Sequence, residues 1–163
     1  MEEHSMKKYI LFLLTALLLV ACGSESANQE KFVPGEPVEF EIVKYENKIA
    51  PIYMQQVPHI AYAINEGQFN ILKEKFDVGD LPIDFEKEMA VFVVAQSDSC
   101  GLMADSTYNN DGKLSVQLLA PNSDKCDVEP MDHTFVLKVA HNDYEKVQLY
   151  IGNILKSSMD IKE

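Results

Sequence analysis

Seven apolar residues in a row, Met89 to Ala95, constrain most strongly what this chain can fold into. The run is too short for a globular helix without caps. Val and Phe dominate it, so it reads as a central strand covered on both faces. Elsewhere the apolar pattern has period two. Val38, Phe40 and Ile42 alternate with Glu39 and Glu41, and Ile60, Tyr62 and Ile64 alternate with alanines. Phe135, Leu137 and Val139 form another alternating set, as do Val147, Leu149 and Ile151, with Asn142-Asp143 between them as the expected turn. Leu102–Tyr108 and Lys113–Leu119 are separated by Asn109-Asn110-Asp111-Gly112, a hairpin signal because glycine tolerates positive φ.

One helix interrupts the strands. Asn65 offers an N-cap with Gln68 three residues on, and Phe69, Leu72 and Phe76 make an apolar stripe that ends before Gly79 and Pro82. Ile49 to Pro58, with Pro51 and Pro58, is expected as a constrained loop or edge segment. The expected fold class is α+β: one largely antiparallel sheet of about six or seven strands with a single packed helix.

The N-terminal residues set the expected location. Lys7 and Lys8 precede an apolar stretch from Ile10 to Val20, which ends in Leu19-Val20-Ala21-Cys22. That stretch is too short to span a bilayer and reads as a lipoprotein signal over residues 1–21, cut after the small Ala21. Cys22 is then the lipid-attachment residue, and two acyl chains suffice for stable anchoring to the cell membrane. Glu2 and Glu3 oppose the positive charge such a signal needs, so Met6 is the expected start and residues 1–5 a mis-assigned one. Residues 22–37, rich in Ser, Gly, Glu and Pro, read as a flexible tether, and 38–163 as one domain. All 14 basic residues are Lys. That bias points to an AT-rich genome, and with the anchor to the outer face of a Gram-positive cell.

A net charge of −12 argues against nucleic-acid binding, because no cationic cluster is left to neutralise phosphates. Three cysteines leave an even pair once Cys22 is acylated, so Cys100 and Cys126 are expected to form a disulfide. Gly-x-Ser-x-Gly, phosphate-binding glycine-rich and His-Glu-x-x-His motifs are absent from the sequence, and no catalytic residue is expected. The carboxylates Asp77, Asp80 and Asp84, then Asp124, Asp127, Glu129 and Asp132, match no Ca²⁺ loop and read as solvated. His59, His133 and His141 are too scattered for a transition-metal site, so neither metal nor cofactor is expected. Ile52-Tyr53-Met54, held between prolines, reads either as an exposed contact surface or as a loop folded onto the core.

The stretch Asp84-Phe85-Glu86-Lys87-Glu88-Met89, an acidic "DF-x-KEM" lead-in to the buried strand, resembles the C-terminal domain of PrcB, the protease-complex subunit family. The resemblance covers about residues 60–151, and the DF-x-KEM stretch carries its specificity. Members commonly place a Thr-Gly-Gly-Tyr turn after the strand; here Ser99-Cys100-Gly101-Leu102 keeps one glycine and loses the tyrosine. The family implies a non-catalytic accessory or interaction module and supplies no catalytic residues. The expected function is a membrane-anchored surface lipoprotein whose domain contacts an envelope protein, as an accessory to an envelope or secreted protease. Its expected contact site is the turn at 97–101 with the loop at 124–133, through Asp98, Ser99, Gly101, Asp132 and His133. The alternative is a small-ligand or metal-binding lipoprotein, whose mark would be a polar-lined pocket between helix and sheet.

Overall fold

Different layers cover the two faces of the Met89–Ala95 run. A computed structural model describes residues 30–121, 126–127 and 129–162. Along the chain lie β1 (Glu36–Pro37), β2 (Phe40–Glu46), a 3-10 turn (Pro51–Tyr53), β3 (His59–Ala63) and α1 (Glu66–Phe76). There follow β4 (Glu88–Ser97), β5 (Met103–Asn110), β6 (Lys113–Leu119), β7 (Met131–Ala140), β8 (Lys146–Ile151) and β9 (Ile154–Asp160). One sheet has the order β2-β7-β4-β3, the other β1-β5-β6-β8-β9. Met89, Val91 and Val93 pack between the sheets with Leu114, Val116 and Leu149. Ala90, Phe92 and Val94 point the other way, onto Phe69 and Phe76 of α1 and Tyr53 of the 3-10 turn. The strand is continuous apolar sequence because neither of its faces meets water.

Among the described residues the molecule is therefore mostly β, with two sheets where one was expected and nine strands where about six or seven were. The expected turn at Asn142-Asp143 does not close a hairpin: β7 and β8 belong to different sheets, and the linking residues carry the chain across. β8 then runs parallel to β6, with Leu114 opposite Val147 and Val116 opposite Leu149. An alternating strand reads the same whichever neighbour it pairs with, so local pattern does not name its sheet. β9 had no sequence signal, since only Leu155, Ser157 and Met159 of its inner face are partly covered.

Local signals held better. Asp111 (φ 51°) and Gly112 (φ 77°) form the two-residue loop of the β5–β6 hairpin, closed by the Asn110–Lys113 pair. Positive φ at both central residues matches the twist of the strands. Asn65 Oδ1 accepts from Gln68 N at 2.9 Å, while Gln68 Oε1 accepts from Ile64 N at 2.9 Å. The helix ends at Asp77 in the left-handed region, before Gly79. The DF-x-KEM lead-in is a self-contained turn: Asp84 accepts from Glu86 N at 3.2 Å, pairs with Lys87 at 2.8 Å, and its carbonyl takes the amides of Lys87 and Glu88.

The last residues of the expected tether pack onto the fold. Phe32 packs edge-on against Tyr108 and Tyr150, Lys31 bridges to Ile154, and β1 pairs with β5, so residues 31–37 lie along the second sheet. Cys22 and the signal stretch lie outside the described residues.

Candidate functional site

Cys100 and Cys126 are paired, with Cα atoms 5.2 Å apart. The pair joins the turn after β4 to the loop before β7. Ser99 N donates to Asp127 O at 3.2 Å, and Asp127 N donates to Ser99 Oγ at 2.5 Å. Within the turn, Cys100 N donates to Asp98 Oδ1 and Gly101 N to Asp98 O, each at 3.1 Å. Asp132 accepts from Gln96 Nε2 at 2.8 Å. The structure ties the turn of Asp98, Ser99 and Gly101 to Asp127 of the loop, while Asp132 bonds Gln96 of β4 instead; Asp124 lies outside the described residues. Much of their polar capacity is already used inside the turn. Asp98, Cys100 and Cys126 cluster within 4.8 Å, but the bonded sulfurs are not thiolate ligands.

His133 departs from expectation. Read as a surface contact, its side chain is fully buried, on the face of β7 that meets the other sheet. Its Nε2 lies 2.8 Å from Ser97 Oγ and its Nδ1 2.9 Å from Tyr45 Oη. Each hydroxyl also has a second acceptor in reach, Asp98 O at 2.7 Å from Ser97 Oγ and Asn47 Oδ1 at 2.5 Å from Tyr45 Oη, and a neutral ring donates to one hydroxyl and accepts from the other. Burial lowers the pKa of the ring, against a smaller opposing pull from the Asp132 charge. A serine beside an imidazole has the outline of a nucleophile and base. Here a tyrosine hydroxyl orients the ring, the ring is sealed from substrate, and the amides of Ser99, Cys100 and Gly101 already donate, the first to Asp127 O and the others to Asp98. Among the described residues no oxyanion donors stand ready at this serine, and the arrangement is that of a buried hydrogen-bonded strut. Ser97 and Tyr45 lie 36 and 88 residues from His133, which is why no sequence motif reveals them.

A groove of about 460 Å³ lies between α1, the 3-10 turn and β3, reached by Met159 of β9. Ile52, Ile71 and Leu72 form its apolar walls and Ala61 lines its base, with Gln56, Gln68 and Lys75 among them. Both readings of Ile52-Tyr53-Met54 contain part of the answer. Tyr53 is buried against Phe76, with ring centroids 4.2 Å apart, whereas Ile52 is 57% and Met54 51% exposed. Three residues per turn point successive side chains in different directions, so the anchored tyrosine presents its neighbours to solvent. His59 stacks on Tyr53 at 5.1 Å, and burial lowers its pKa. Ile71, on the facing helix, is 56% exposed. No periodicity marks this groove, because its walls come from four separate segments.

Several other charged groups are paired with one another. A second groove of about 370 Å³ holds Lys138 between Glu41 at 2.8 Å and Glu88 at 3.6 Å. Asp77, Asp80 and Asp84 pair with Lys48, Lys73 and Lys87, whose hydrogen bonds hold those carboxyls below their ordinary pKa. Among the described residues no helix is long and apolar enough to cross a membrane. Comparison with protein-family models, with curated proteins and with solved structures finds no match for the chain.

Proposed function

We propose that the chain is a lipid-anchored protein of the bacterial cell surface whose domain is a non-catalytic interaction module, accessory to an envelope or secreted protease. The anchor rests on Leu19-Val20-Ala21-Cys22, and the protease connection on the DF-x-KEM resemblance. The observation that carries the interaction reading is the pair of large apolar side chains, Ile52 and Ile71, standing more than half exposed across one groove. Such a patch costs solubility unless a partner covers it. The groove supports this better than the disulfide-clamped turn, whose side chains are small, polar and already bonded.

The test is crosslinking and pull-down of the membrane-anchored chain, with Cys22→Ala as the localisation control. Ile52→Glu with Ile71→Glu should abolish recovery of a verified partner at unchanged melting temperature. Unchanged recovery would remove the groove, and loss only in Asp98→Ala with Ser99→Ala would move the site to the turn. A second reading, small-ligand binding, is favoured by one observation: the groove lies between helix and sheet and carries polar groups as well as apolar walls.

A further inference from the structure

Phe69 and Phe76 of α1 face the sheet, whereas Gln68, Ile71, Leu72 and Lys75 line the groove. Spacings of three, four and seven residues place these four along one side of the helix. Ile52 and Met159 face them from other segments, so an occupant would meet hydrocarbon on more than one side. Lys75 supplies the charge. Seven other described lysines lie within 3.8 Å of a carboxylate. Lys75, like Lys31, Lys156 and Lys162, has no carboxylate at ion-pair distance among the described residues, but it alone of these lines the groove. The acids just beyond the helix are engaged elsewhere, Asp77 by Lys48 and Asp80 by Lys73. Gln68 has its carbonyl oxygen on Ile64 N, which leaves its NH₂ group to donate. A volume of about 460 Å³ equals roughly fifteen waters at about 30 Å³ each, room for about a dozen carbons.

We infer that the groove binds a small monocarboxylate with an apolar body: the body lies on Ile52, Ile71, Leu72 and Met159, and the carboxylate pairs with Lys75. This rests on the second reading above, in which the groove holds a small ligand. The net charge of −12 slows the approach of an anion, but beyond about 8 Å that field is screened at physiological salt. Contact with Lys75 is decided locally.

The experiment uses the full chain in phosphatidylcholine nanodiscs, with isoleucine and methionine methyls labelled for NMR. It is titrated with decanoate, with decan-1-ol, and with a short peptide ending in a free leucine carboxylate. Saturable shifts at Ile52, Ile71 and Met159 are expected, with decanoate bound about fivefold or more tightly than decan-1-ol. Lys75→Gln should erase that preference while leaving decan-1-ol binding and the fold intact. Equal affinities in the unmodified chain would overturn the carboxylate assignment and leave an apolar groove. Absence of shifts with decanoate, while Ile52→Glu with Ile71→Glu still abolishes partner capture, would overturn the inference but not the interaction module. Tenfold tighter binding of the peptide would make the occupant a protein end and overturn it equally. If decanoate leaves the methyls unmoved and capture ignores the groove, both fall.

Discussion

At the scale of single residues, His133 makes the sharpest demands. Its two ring nitrogens meet Ser97 and Tyr45 in a fully buried position. Removing the ring leaves a cavity and takes a partner from each hydroxyl, so His133→Ala should lower stability by about 2–4 kcal/mol in urea titrations. His133 and His59 both have pKa values lowered by burial from the ordinary 6.5. A depressed folded pKa means the unfolded chain takes up protons first as pH drops below about 6.5. Stability should therefore be full above that value and decline below it, until the folded-state histidines also protonate. His133→Phe should flatten part of that decline in melting temperatures measured across pH 7.5 to 5; an unchanged slope would show that this ring does not contribute. The adjacent Asp132-His133 pair was visible in the sequence, but the burial that makes the histidine structural was not.

Elements are held by local chemistry that can be tested one piece at a time. A Cβ on Gly35 would sit 2.2 Å from the backbone oxygen of Asn109, too close for any side chain to yield. Gly35→Ala should detach β1 from β5 and speed amide exchange there, while the rest of the sheet keeps its protection. At the β5–β6 turn Gly112 has φ 77°, so Gly112→Ala should cost about 1 kcal/mol or more. The Cys100–Cys126 pair closes a separation of 26 residues, for which the chain-entropy model gives about 3.5 kcal/mol. Reduction should lower the melting temperature by on the order of 10 °C, read by calorimetry with and without reductant. The hairpin, the helix cap and the cysteine pair were all legible in advance, because each depends on residues close in sequence or on a compartment-level rule.

For the whole molecule, the anchor and the groove make separable predictions. Cys22→Ala should block lipid attachment and release the chain from membranes, checked by intact mass of the mature N-terminus. A mature chain beginning elsewhere and carrying no lipid would defeat that reading. By itself the sequence determined seven of the nine described strands, the central one among them, the helix with its cap and the Asp111-Gly112 turn, since period, capping and turn preference act over a few residues. Tertiary structure alone decided that the strands divide into two sheets, that β8 lies parallel to β6, and that residues 31–37 join the second sheet. It alone also sealed His133 and opened a groove between α1 and β3. The physical reason is common to all of these. An alternating strand states which of its faces is apolar but not which neighbour will cover it, and a cavity is the space left when separate segments have chosen their partners.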